Sequence, residues 1–88
     1  MEHIFEGLPQ DKWIDIIYNA SRGLSTNELL RILERAACME VLLEKRLGEA
    51  WEDELEYLLK SEENSEEIHH KMQDLAMESM GKILTQNE

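Results

Sequence analysis

Two sets of residues in this chain have types and spacing that chemistry could use. Glu66-x-x-His69 and, overlapping it, Glu67-x-x-His70 set a carboxylate and an imidazole three residues apart. On a helix that spacing brings both groups to one face, where they can ligate a metal together. His69 and His70 are neighbours and point about 100° apart, so they cannot easily share one ion. Glu40 and Glu44 form the second set. By helical phase they fall one turn apart inside an otherwise apolar arc, where a carboxylate is unfavourable unless paired. Glu54 falls there too, beyond Gly48. The structural explanation outweighs a functional one: the arc is open at that point, or the carboxylates meet Arg or Lys of another helix or protomer. Cys38 has no histidine in its own helical turn, which leaves a nucleophile reading without support.

The elements that must position these groups are helices. Ser25 to Lys60 is the longest patterned stretch, and Ser25-x-x-Glu28 fits a capping box at its start. Leu29, Leu33, Ala36, Leu43, Leu47, Trp51 and Leu58 then recur along one line at about 100° per residue. Their phase runs unchanged through Gly48, as one continuous helix requires. Gly48 is also a plausible helix stop, and Asp53-x-x-Glu56 resembles a second cap. An unbroken helix of about 35 residues would be roughly 50 Å long, whereas a compact domain of about 100 residues has a radius of gyration of roughly 13 Å. Either the helix bends at Gly48 or its overhanging stripe is covered by a second chain, and the unbroken phase favours the second.

Before it, Pro9 and Asp11 suit a helix start, Trp13, Ile14, Ile16, Ile17 and Ala20 give it an apolar side, and Gly23 reads as its stop. Ile4, Phe5 and Leu8 of the lead-in can tuck onto the helices. After it, the polar run KSEENSEE cannot supply a buried stripe and predicts a break at Ser61–Asn64. Asn64 or Ser65 can cap a last helix on which Ile68, Met72, Leu75, Ala76, Met80 and Ile83 share a face, ahead of a frayed tail from Thr85. The expected fold is all-α: one domain over 1–88 with about three helices, 9–22, 26–60 possibly bent at Gly48, and 65–84.

Composition narrows the function. Nine Lys and Arg against twenty Asp and Glu give a net charge of −11, which opposes nucleic-acid phosphate and anionic membranes. It permits a basic protein partner, with an exposed acidic face imitating DNA as a remoter reading. A lone cysteine fits a reducing compartment such as the cytoplasm. No apolar run reaches membrane-spanning length, and MEHIFEGLPQ lacks the pattern of a secretory signal. Gly-rich phosphate loops, G-x-S-x-G and C-x-x-C are all missing from the sequence, so no enzyme and no cofactor are expected.

Glu54 to Met72, ELEYLLKSEENSEEIHHKM, faintly resembles the second helix of the rubrerythrin and encapsulated-ferritin hairpins, where E-L-x-x-L leads to E-x-x-H. That resemblance implies a ferritin-like metal centre with Glu66 and His69 as ligands, Glu62 beside them and Glu40 facing them. A hairpin turning near residue 50 sets Glu40 opposite Glu62 instead, about two turns from His69, so a second subunit would have to complete the site. Binding of another protein is the first expectation: an adaptor, inhibitor or regulatory subunit, of a bacterium or phage by compositional analogy. Self-association as a homodimer or larger oligomer goes with it. The contact residues expected are Glu40, Glu44, Trp51, Met72 and Met80, with methionine suited to adaptable surfaces.

Overall fold

A computed structural model describes residues 8–86. Four α-helices follow one another: α1 (Pro9–Asn19), α2 (Arg22–Leu47), α3 (Trp51–Lys60) and α4 (Ser65–Thr85), with a 3-10 turn at Gly48–Ala50 between α2 and α3. Among the described residues there is no strand, and the all-α expectation holds. The last helix matches its predicted span to within a residue. Ile4 and Phe5 of the lead-in lie outside the described residues, and Leu8 is exposed.

The long helix departs from its predicted course at both ends. It starts at Arg22, one turn before the predicted cap. Ser21 is the N-cap, its hydroxyl accepting from the Leu24 amide at 3.2 Å, which satisfies one of the orphan donors of a helix start. Ser25 is therefore inside the helix, and its hydroxyl donates to the Ile17 carbonyl at 2.7 Å, tying α2 to the helix before it. Gly23, read as a stop, lies in the first turn of α2, and α1 ends at Asn19 rather than 22. At the other end the helix is not continuous to Lys60. Gly48 takes φ +68° and ψ −146°, a conformation that L side chains rarely adopt. The apolar phase is a pattern of the sequence that a glycine does not interrupt, so phase alone could not distinguish a break from a continuous rod.

Lys45 and Arg46 at the end of α2, Glu52, Asp53 and Glu54 at the start of α3, and Glu66 and Glu67 at the start of α4 all match the helix dipoles. Between α3 and α4 the Ser61 hydroxyl accepts from the amide and the side-chain nitrogen of Asn64, at 3.2 and 3.0 Å. Packing is heaviest where α1 lies along α4, with the first half of α2 joining them; α3 packs chiefly on the turn and the end of α2.

Candidate functional site

The centre of this junction is a carboxylate. Glu28 is fully buried, and around it the buried side chains are Ser79, Ala76 and Ile83 of α4. On α2 the inward line passes through Ser25, Glu28, Ile32 and Ala36, offset from the predicted leucine line. Leu29 and Leu33 are consequently exposed, at 47% and 66%.

Glu28 is held from two sides. One turn on, Arg31 grips it with both arms of the guanidinium, Nε to Oε1 at 2.9 Å and Nη2 to Oε2 at 2.7 Å. From α4 the Ser79 hydroxyl donates to Oε2 at 2.5 Å. Ser79 in turn accepts from the Trp13 indole N–H of α1 at 2.8 Å. One hydrogen-bonded chain, Trp13 to Ser79 to Glu28 to Arg31, thus joins three helices. Burial pushes the Glu28 carboxyl up. Hydrogen bonds from Arg31 and Ser79, with the positive charges of Arg31 and Lys82, outweigh it and hold the carboxyl below its ordinary value. Its hydrogen bonds to Glu28 push the Arg31 guanidinium up. Such bidentate, charge-assisted bonds are about twice as strong as neutral ones. Both partners of the Ser79 hydroxyl belong to this chain, which clasps the three helices together.

Beside the clasp lies a cleft of about 260 Å³ between α1, α2 and α4, floored by Ile32, Ala36, Met39, Met72 and Leu75 and edged by Arg35 and Glu78. Gln10 reaches its wall, and the Gln10 Oε1 atom is buried without a hydrogen-bond partner among the described residues.

Residues 5–88 match DUF2018, a domain of unknown function. The chain belongs to this family. No curated protein matches it.

The residues singled out from sequence lie elsewhere than the clasp. Glu40 and Glu44 are exposed on the outer half of α2, where the arc is open. Trp51 is half-buried at the start of α3, Met80 half-buried on α4, and Met72 is 44% exposed in the cleft wall. Glu62 and Glu66 are exposed around the turn into α4. His69 lies against its own helix, its Nδ1 2.9 Å from the Ser65 carbonyl. His70 is 4.0 Å from Asp74. No group of three or more His, Cys, Asp or Glu among the described residues is gathered to hold a metal ion. Glu40, Glu62, Glu66 and His69 are therefore not assembled within one chain.

The clasp itself went unread in the sequence. Ser79 is three residues after Ala76 and four before Ile83, a polar residue on the apolar line of α4, and that was the available signal. Ser25 at capping-box spacing instead marks Glu28 as a cap residue.

Proposed function

We propose that this chain acts by binding protein surfaces, as an adaptor, inhibitor or regulatory subunit, and that it self-associates through the apolar side of α2. The observation that carries this reading is the row Leu29, Leu30, Leu33 and Val41, which at about 100° per residue share one arc of α2 and are exposed between 47% and 66%. At about 25 cal/mol per Å² of apolar surface, covering such a row is a strong drive to associate. The overall dimensions support it. The chain has a radius of gyration of 15.4 Å, against about 12 Å for a compact domain of its length. Its accessible surface is 7149 Å², against about 5,400 Å² for a folded monomer of this mass. The break at Gly48 removes the overhanging rod as a reason for oligomers, and the exposed row supplies a better one. The cytoplasm suits a chain whose Cys38 is exposed and free. No helix among the described residues is long and apolar enough to cross a membrane.

Sedimentation at micromolar concentration tests the reading. A dimer or larger species is expected, and Leu30→Ser with Leu33→Ser should shift it toward monomer. A fully helical monomer that remains so on concentration would overturn self-association.

A further inference from the structure

Charge in this molecule is gathered in one place. Residues 48–67 hold nine carboxylates against one lysine, a net −8 of the chain's −11. Through this segment runs α3, and its large apolar side chains are left in water: Leu58 is 43% exposed, Leu59 65% and Tyr57 66%. Trp51, Leu55, Leu58 and Leu59 recur at helical spacing and form one stripe, of which Trp51 and Leu55 are half-buried. The stripe runs into an open cleft of about 710 Å³ at the start of α4, lined by Leu58, Ile68 and Asn64, by the carboxylates of Glu66, Glu67 and Asp74, and by Lys71 and His70. Apolar surface in a segment of net −8, beside a cleft where three carboxylates outnumber Lys71, selects its occupant by charge. Another copy of the same segment would bring a second −8 against the first. α2 of a second copy offers little in compensation, since its five basic and four acidic residues sum to +1.

We propose that the α3 stripe and the adjoining cleft dock a basic amphipathic helix from a different protein. Its apolar side chains would cover Leu58, Leu59 and Ile68, and its Lys or Arg side chains would meet the surrounding carboxylates. A helix laid into an apolar groove is a recurring mode of recognition, and a concentrated field of one sign speeds encounter with an oppositely charged partner. The inference rests on the reading that this chain works through protein contacts, but it uses a surface separate from the α2 row.

The test titrates the full chain into a fluorescein-labelled 18-residue amphipathic Leu/Lys peptide and follows anisotropy, with a Leu/Glu peptide of the same pattern as control. The Leu/Lys peptide should bind and the Leu/Glu peptide should not. Binding should weaken between about 50 and 300 mM salt as exposed charges are screened. Leu58→Ser with Leu59→Ser, which leaves every charge in place, should raise Kd about tenfold or more, as loss of apolar anchors does. Glu52→Gln with Glu56→Gln should raise it as well, and Leu30→Ser with Leu33→Ser should not. The single Leu59→Gln change, at a largely exposed position, serves if the double variant loses helicity. Binding that ignores Leu58 and Leu59 would overturn the proposal, because it would be charge attraction alone. So would Leu58→Ser with Leu59→Ser dissociating an oligomer, because a second copy would then be the occupant. Sedimentation of the same samples separates the two readings: a monomer that keeps the peptide contrasts defeats only self-association, and an oligomer without them defeats only docking.

Discussion

The junction of α1, α4 and the first half of α2 and the arm formed by the rest of α2, the 3-10 turn and α3 invert the usual placement of side chains. At the junction the most deeply buried side chain is Glu28, fully enclosed. On the arm, Met39, Val41, Leu42, Leu58 and Leu59 face water. The difference shows that polar groups fix three helices to one another at the junction, while much of the apolar surface of the arm is left exposed. A buried ion pair adds little over an apolar contact of the same shape, but it tolerates no unpaired neighbour. Such a centre favours one arrangement of helices over others. An apolar face without partners does the opposite, since it accepts any surface that covers it.

The largest effect that would break this contrast is at its centre. Glu28→Ala should destabilise the fold by about 3 kcal/mol, the low end for breaking a buried pair, because the Arg31 side chain keeps 31% of its surface in water. Urea unfolding measures it, and a loss as small as that of a surface substitution would mean that the clasp is not what orders the junction. Ser79→Ala should cost about 2 kcal/mol by the same measurement, because it removes a bond to a charged group and leaves the Trp13 N–H without its acceptor. A fluorescence change at Trp13 should accompany it.

At the boundary between the two regions, Gly48→Ala meets no atom within 4 Å, so its cost is conformational. With φ at +68°, it should lower stability by about 1–2 kcal/mol. Unchanged stability with a rise in helicity would show that α2 and α3 can fuse into one rod and that the break is a local preference of glycine.

Acid sharpens the comparison further. Glu28 titrates below its ordinary value in the folded chain, so its contribution is fully present above the unfolded value of about 4.3 and is lost as pH falls through the lower folded value. The stability gap between the native chain and Glu28→Gln should therefore be constant at neutral pH and close below about pH 4.3. Comparing the two chains cancels the relief of self-repulsion that acid brings to every other carboxylate. The smallest effect belongs to the arm. Glu40→Leu, at an exposed site with no hydrogen bond or ion pair among the described residues, should leave the melting temperature within about 3 °C. A large loss would place Glu40 in an interface as one half of a charge pair.

Helical periodicity made the fold class and the last helix legible, because α4 begins after a polar run that no buried face could accommodate. It could not fix the rotation of α2. Leu29 and Leu33 outnumbered Glu28 in any count of apolar residues, yet Glu28 faces inward because its charge finds Arg31 and Ser79 there. That preference depends on a hydroxyl 51 residues away in sequence, and no local pattern records it. The start of α2 differs for a related reason: Ser21 and Ser25 both precede a helical pattern, and in the fold Ser21 caps the Leu24 amide while Ser25 bonds back to Ile17. The Glu40 and Glu44 oddity was legible as an oddity, and its resolution in the single chain is exposure.

The reach of the Glu28–Ser79 bond has one more consequence, for chain connectivity. From the standpoint of the clasp, the whole stretch from Leu29 to Glu78 is a tether between two residues that must meet. The entropy of closing a tether rises only logarithmically with its length, by about 0.6 kcal/mol for each doubling. Residues inserted at the Ser61–Asn64 turn would thus leave the junction nearly as stable as before. The turn is free to vary in length, while the ends that close upon each other are not.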